Sequence, residues 1–193
     1  MELESSYPIL LAGVSLDLPR IRDPNGKQDF FVLDIKRRAD LAHLFAADLH
    51  KKLAADALLD SPIITVSGKC LNMVDRMAIN GRYAIIEKEH DRKPYYDYPY
   101  WAAREQSMTT RSTNNFYLRD DDAKWLKGQM RNLVFVDDVL STASTADAVI
   151  DLCEQIGRPL AAIAVVLVEG ERRTEYRGIP VISLGYLPLP HMP

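Results

Sequence analysis

The sequence predicts an α/β fold built on a mainly parallel sheet with helices on both faces. Three observations carry that expectation. The most apolar stretches are short and continuous rather than alternating: "IITV" at 63–66, "LVFV" at 133–136 and "LAAIAVVLV" at 160–168. Strands covered on both faces read this way. Amphipathic patterns of helical period stand between these runs, so strand and helix alternate along the chain.

Taken in order, residues 1–30 read as irregular, with Pro8, Pro19 and the turn signal Pro24-Asn25-Gly26. "FFVLDI" (30–35) reads as a short strand. From 37 to 59, Leu41, Leu44, Phe45, Leu49 and Leu53 recur at helical spacing, and Lys36, Arg37, Arg38, Lys51 and Lys52 fit the solvated face. The β-branched run 63–66 is a buried strand ended by Gly68. Leu71, Val74, Met77 and Ala78 give the next helix, closed by Asn80-Gly81, and "YAIIEK" is a second short strand. Residues 89–112 hold Tyr95, Tyr96, Tyr98, Tyr100 and Trp101 without a sustained period, which predicts a long functional loop. "NNFYL" reads as a returning strand and "NLVFVD" as the most apolar strand. The clearest helix, 144–156, puts Ala148, Val149, Leu152 and Ile156 on one face. "LAAIAVVLV" and "IPVISL" are the closing strands.

The bulk composition bounds the function classes. The 193 residues suit one domain (1–193), and 47% hydrophobic with 26% charged residues is ordinary for a globular protein. A net charge of −3 supplies no field for nucleic acid or a membrane surface, so neither is expected as a partner. Cys70 and Cys153 form neither a disulfide framework nor a metal spacing, and read as small core residues in a reducing compartment. His43, His50, His90 and His191 share no spacing for a metal or a catalytic triad. The first residues carry acids where a signal peptide carries bases, and no apolar run is long enough to span a bilayer, so the expected location is the cytoplasm.

The stretch "NLVFVDDVLSTASTADA" (132–148) carries the chemistry. In parallel sheets ligands bind beyond the carboxyl ends of the strands, and Asp137 and Asp138 sit at that end. Adjacent carboxylates repel each other and accept hydrogen bonds only, which suits sugar hydroxyls met directly or through a divalent cation. Ser141, Thr142, Ser144 and Thr145 then lead into a helix, whose first turn has free N–H groups and a partial positive charge that favour an anion. The plainer reading is a buried strand ending in a solvated turn, with Ser141 or Ser144 as an N-cap. A nucleotide hydrolase could share the strand and acids, but the chain holds no G-x-x-x-x-G-K-[ST] loop.

The same stretch resembles the phosphoribosyl-pyrophosphate (PRPP) signature of type I phosphoribosyltransferases: four apolar residues, an acidic pair, then a T-G-x-T loop, here "LVFV", "DD", "VLS" and "TAST". The resemblance covers 60–185, with adenine and xanthine phosphoribosyltransferases as the nearest look-alikes. It implies an α/β fold of the type I phosphoribosyltransferase kind: a central, mainly parallel sheet flanked by helices, a small N-terminal hood (1–35), a core (60–185) and a flexible flap (88–114). It implies that Asp137 and Asp138 bind the ribose hydroxyls of PRPP, and that Ser141, Thr142, Ala143, Ser144 and Thr145 hold its 5′-phosphate. It gives "ITVSGKC" as the pyrophosphate loop, with Ser67, Gly68 and Lys69 as contacts, and Lys88 as added positive charge. Asp137, Asp138, Lys88 and Glu105 are the catalytic candidates. Mg²⁺ would bridge pyrophosphate and ribose oxygens, with Asp137 and Asp138 as its only candidate protein ligands. A homodimer follows from the resemblance alone.

The activity implied is transfer of a phosphoribosyl group from PRPP to a nucleobase, a purine by preference, or a related heterocycle. Hood residues and the loop after the last strand would choose the acceptor, with Tyr186 or a backbone group touching it. Two positions depart from the pattern. Ala143 stands where the family loop usually has glycine, and a positive φ there would cost an alanine of order 1 kcal/mol or more. Thr109-Thr110 stands near the flap's catalytic Glu-Tyr pair of adenine-specific members. Glu105 is the nearest acid, with a solvated loop acid as its plainer reading. A PRPP- or nucleotide-sensing protein with little catalysis, or an α/β domain using the loop for another phosphorylated ligand, are the alternatives.

Overall fold

The computed structural model describes residues 6–21, 29–79, 81–90, 99–105 and 114–190. The chain opens on an antiparallel hairpin, β1 (Ser6–Leu11) and β2 (Val14–Ile21), where irregular chain was expected. Ala12 and Gly13 turn it, both at positive φ (49° and 78°), the handedness that matches strand twist. Pro8 and Pro19 mask the hairpin in the sequence. Pro8 lies on the sheet's edge strand, where no ladder donor is needed, and Pro19 pairs with Ser6 near the end of β2. The strand expected over 30–35 shrinks to β3 (Phe30–Phe31), paired with β2, while Leu33 and Ile35 are buried without belonging to a strand.

Helix α1 (Ala39–Ala55) buries Leu41, Phe45, Leu49 and Leu53, as its spacing predicts, but leaves Leu44 exposed. It is shorter than the expected 37–59 because Ala57 takes φ 59° just beyond Asp56. The Ala57 N–H then reaches Ala54 O (3.1 Å) and the Leu58 N–H reaches Leu53 O (2.7 Å), which closes the helix end.

The main sheet has eight strands: β4 (Ile63–Val66), β5 (Ala84–His90), β6 (Tyr100–Glu105), β7 (Asn114–Arg119), β8 (Leu133–Leu140), β9 (Leu160–Glu169), β10 (Glu175–Tyr176) and β11 (Ile179–Leu187). They lie in the order β10-β11-β9-β8-β4-β5-β7-β6, and the five from β11 to β5 are parallel. Helices α2 (Leu71–Met77), α3 (Asp120–Lys127) and α4 (Ser144–Gln155) connect them. Alternation sorts the two faces. Ile63, Val134, Val136 and Ala164 pack with α1 and α2, whereas Ile64, Phe135, Ile163 and Val165 pack with α3 and α4. This is the mainly parallel, helix-flanked sheet that the apolar runs predict.

Part of the stretch expected to be a long loop is regular. β5 runs on to His90, and β6 covers 100–105 as the edge strand beside β7. Tyr100 meets the Tyr117 ring edge-on at 4.9 Å; Trp101 donates its Nε1–H to Asp120 (3.2 Å) and carries Lys127 on its face. Trp101 thus ties the sheet edge to α3, and Tyr100 packs β6 against β7. Tyr95, Tyr96, Tyr98 and Thr109-Thr110 lie outside the described residues. Helix α3 was not foreseen; Asp120, Asp121 and Asp122 fill its first turn and Lys124 and Lys127 its last, which suits the helix dipole. Among the described residues no helix is long and apolar enough to cross a membrane.

Candidate diol- and phosphate-binding site

The topology itself fixes where a ligand can sit. From β4 the chain passes through α2 to β5 on one side, and from β8 it passes through α4 to β9 on the other. β4 and β8 are neighbours, so their outgoing loops part and leave a crevice between them. Ser67, Gly68 and Lys69 leave β4 there, and the acidic pair and hydroxyl run leave β8.

Asp137 and Asp138 fall within the last half of β8, which extends to Leu140 rather than stopping at the acids. Asp137 Oδ1 accepts the Asp138 backbone N–H at 2.8 Å, and Asp138 Oδ1 accepts the Val139 N–H at 3.0 Å. Burial, and next the charge of Asp138, hold the Asp137 carboxyl well above the usual carboxylate range. The backbone N–H of Asp138 offsets only part of this. Asp137 is therefore a carboxyl poorly served by its surroundings, and a cation or hydroxyl donor would relieve it.

The loop after β8 turns sharply at Ala143, which adopts φ 66° and ψ 6°. The left-handed conformation that glycine would take freely is thus taken here by an alanine, buried at 3% exposure. Ala143 gives α4 no side-chain cap, so the first N–H groups of the helix face the loop unpaired. Thr142 and Ser144 hydroxyls lie 3.2 Å apart across the turn. A cavity of about 90 Å³ opens between Asp137 and residues 141–146, the scale of a phosphate group rather than of a whole nucleotide.

Across the crevice, the Ser67 N–H donates to Ile86 O (2.8 Å) and the Ser67 hydroxyl accepts the Lys88 N–H (3.2 Å). This ties the β4 loop to β5 and brings Lys88 to the same rim, with its ammonium 5.2 Å from the Phe116 ring centre. Lys69 is exposed. Gly68 has an ordinary backbone conformation, and a Cβ there would meet nothing closer than Val66 O at 3.7 Å, so the fold itself does not demand glycine. Glu105 ends β6, paired through its backbone with Asn114; its side chain is outside the described set. It lies on the same edge of the sheet, but three strand spacings from β4, about 14 Å.

Three residues belong to this site without having been singled out for it. Cys70, expected to be plain core, donates its S–H toward Asp137 Oδ1 at 3.7 Å and lies 3.3 Å from Thr65 Oγ1. Burial, then the Asp137 charge, push its thiol up, so it stays protonated. Thr65 is fully buried and donates to Val136 O at 2.8 Å, binding β4 to β8. Glu169 ends β9 beside the loop. Only the acid ending an apolar strand was a visible signal; the meeting of Cys70 with Asp137 spans 67 residues. Tyr186 is present but engaged, its hydroxyl donating to Gly170 O and its ring covered by Arg172 at 4.4 Å.

A carboxylate pair running into an uncapped helix start, opposite two lysines, suits a ligand with neighbouring hydroxyls, a phosphate on the same sugar and a further anionic group. Among the described residues no cluster of three or more His, Cys, Asp or Glu could hold a metal alone.

No protein-family model and no curated protein sequence matches the chain. Solved structures do. Adenine phosphoribosyltransferase from Thermoanaerobacter pseudethanolicus is similar with a TM-score of 0.68 at 17% identity, over 88% of this chain and 95% of that one. Adenine phosphoribosyltransferase from Saccharomyces cerevisiae, solved with D-2,5-dideoxy-2,5-imino-altritol 1,6-bisphosphate and adenine, gives 0.62 at 15% identity over 93% and 94%. Orotate phosphoribosyltransferase from Aeropyrum pernix gives 0.54 at 18% identity over 87% and 85%. With the parallel sheet, its crevice and these likenesses together, the chain has the fold of the type I phosphoribosyltransferases.

Proposed function

We propose that the protein transfers the phosphoribosyl group of PRPP to a ring nitrogen of a nucleobase or related heterocycle, a purine by preference, releasing pyrophosphate. The observation that carries the proposal is the run from Asp137-Asp138 through the left-handed turn at Ala143 into the uncapped start of α4. The acids receive the ribose hydroxyls, and the turn and helix N–H groups receive the 5′-phosphate. Ser67, Gly68 and Lys69 receive pyrophosphate, with Lys88 beside them.

Loss of pyrophosphate builds positive charge on the ribose and negative charge on the leaving group. Lys69 and Lys88 favour that separation from one side, and the acidic pair from the other. The donor set fits Mg²⁺ arriving with the substrate. Magnesium is held by one or two carboxylates together with substrate phosphates, and a destabilised Asp137 is the carboxylate that gains most from it. Once bound, Mg²⁺ supplies charge neutralisation to the leaving pyrophosphate.

A PRPP- or nucleotide-sensing protein is the second reading, favoured by Thr109-Thr110 near the place of a Glu-Tyr pair. Calorimetry with PRPP tests what both readings share. Binding is expected only with Mg²⁺ present and is lost in the double variant Asp137→Asn/Asp138→Asn. Binding that ignores both Mg²⁺ and the acids would overturn the proposal.

A further inference from the structure

Glu169 is a charge the reaction outlined above leaves unused. It is the last residue of β9, and its Oε1 is buried with no hydrogen-bond partner. No described cation pairs with it. A desolvated, unpartnered carboxylate oxygen is costly, and such atoms are rare enough to need a reason.

Its place in the sheet supplies one. On one side, the register Leu140↔Val168 sets Glu169 beside Ser141, the first residue of the phosphate loop. On the other, Glu169 is paired with Leu187 of β11, which packs in the cluster holding Leu11 and Leu18 of the N-terminal hairpin. One pleat earlier, Leu167 lies against that hairpin. A Cβ at Gly185 would meet Leu11 at 2.5 Å, Leu167 at 3.2 Å and Ile9 at 3.8 Å. Val168 joins the α4 cluster, whereas Leu187, the residue paired with Glu169, joins the hairpin cluster, which puts Glu169 on the hairpin side. The carboxyl thus stands between the phosphate loop and the apolar hood, where a planar acceptor must lie to reach a ribose held by Asp137 and residues 141–145.

We propose that Glu169 is a specificity-determining residue of the acceptor site: its carboxylate receives an N–H of the incoming heterocycle, so the acceptor is a base with an amino or ring N–H edge, not one bearing an acidic substituent. The inference rests on the phosphoribosyl-transfer reading. Burial pushes the Glu169 carboxyl up, with Ser141 offsetting part of the shift, as for an acceptor waiting for a donor. The nearby Arg172 does not reverse the preference. It is exposed and committed to the face of Tyr186 at 4.4 Å, where water screens its charge, whereas the Glu169 oxygen is shielded from water.

The test uses the full chain saturated with Mg²⁺ and ribose 5-phosphate, which carries the phosphate and diol but cannot transfer. Adenine and orotate are titrated into it by calorimetry. Adenine is expected to bind at least about tenfold more tightly than orotate, and Glu169→Gln to weaken adenine by about 10- to 100-fold, the worth of a charge-assisted hydrogen bond. Ribose 5-phosphate affinity is expected to stay within about threefold in the variant, since the phosphate loop keeps its own donors. Equal or tighter binding of orotate by the unaltered protein overturns the inference without needing the variant. So does a folded Glu169→Gln that binds adenine unchanged, or no adenine binding at all to the ribose 5-phosphate complex. Failure of ribose 5-phosphate and PRPP themselves to bind overturns the transferase reading, and this inference with it.

Discussion

Replacing Asp137 by asparagine is expected to make the ligand-free protein more stable while removing its binding of PRPP. The side chain is isosteric, and its Oδ1 can still accept the Asp138 N–H at 2.8 Å and the Cys70 S–H at 3.7 Å. What disappears is a carboxylate that burial and Asp138 disfavour. A carboxyl raised in the folded state holds its proton more tightly there than in the unfolded chain. Its contribution to stability is fully present below the unfolded value near pH 4, and is lost as pH rises through the raised folded value. Asparagine does not titrate, so the two proteins are expected to match near pH 4 and diverge above it. Each unit of displacement is worth about 1.4 kcal/mol. With relaxation and the partial exposure of the pair, a gain of about 1–3 kcal/mol at pH 7.5 is expected, or a rise of about 3–10 °C in Tm for a chain of this length. Thermal melts of both proteins at pH 4.5, 6 and 7.5 read it directly. A variant no more stable than the parent at pH 7.5, or a gain that is as large at pH 4.5, would refute the argument.

Four further outcomes follow from the same geometry. Ala143→Gly relieves a left-handed alanine by about 1–2 kcal/mol but gives up a buried methyl worth about 0.8 kcal/mol, so urea unfolding is expected to shift by less than about 1 kcal/mol; a loss above about 2 kcal/mol would contradict the turn. Gly68→Ala leaves folding unchanged, since a Cβ there meets only Val66 O at 3.7 Å, yet weakens pyrophosphate binding measured by calorimetry if the loop backbone approaches the anion. Lys69→Met and Lys88→Met are each expected to weaken pyrophosphate by about tenfold, and the effect shrinks in high salt; only Lys88→Met also loses about 0.5–1 kcal/mol of stability with its Phe116 contact. Binding of Mg²⁺ and PRPP at neutral pH is expected to release protons from the acidic pair, because the ligand favours the anion that the free site disfavours, and the binding enthalpy will then vary with the ionisation enthalpy of the buffer.

How much of this could be read from the sequence depends on whether a feature is local. The acidic pair, the hydroxyl run and α4 form one continuous segment, and the four-residue run 63–66 proved to be β4 residue for residue. Such runs are legible because burial on both faces leaves little but apolar side chains. The N-terminal hairpin was not legible: its strands are half-exposed, two prolines interrupt them, and Ala12-Gly13 lacks the usual asparagine or aspartate of a hairpin turn. β6 was hidden by aromatics that suggested a lid, whereas Tyr100 and Trp101 serve the sheet edge. The departure at Ala143 was visible, but its meaning was not. Only the backbone shows that this alanine takes the glycine-like conformation and so keeps the turn. Cys70 against Asp137, and Glu169 between the loop after β8 and the N-terminal hairpin, arise from strand order and register, which no local pattern encodes.

The most direct test of the central claim is pyrophosphate release from PRPP and Mg²⁺, with and without a pool of purine and pyrimidine bases. Release that requires a base, and that disappears in Asp137→Asn/Asp138→Asn, is the expected result, and dividing the pool then names the acceptor. PRPP bound with no base-dependent release would contradict transfer to those bases and favour the sensing reading.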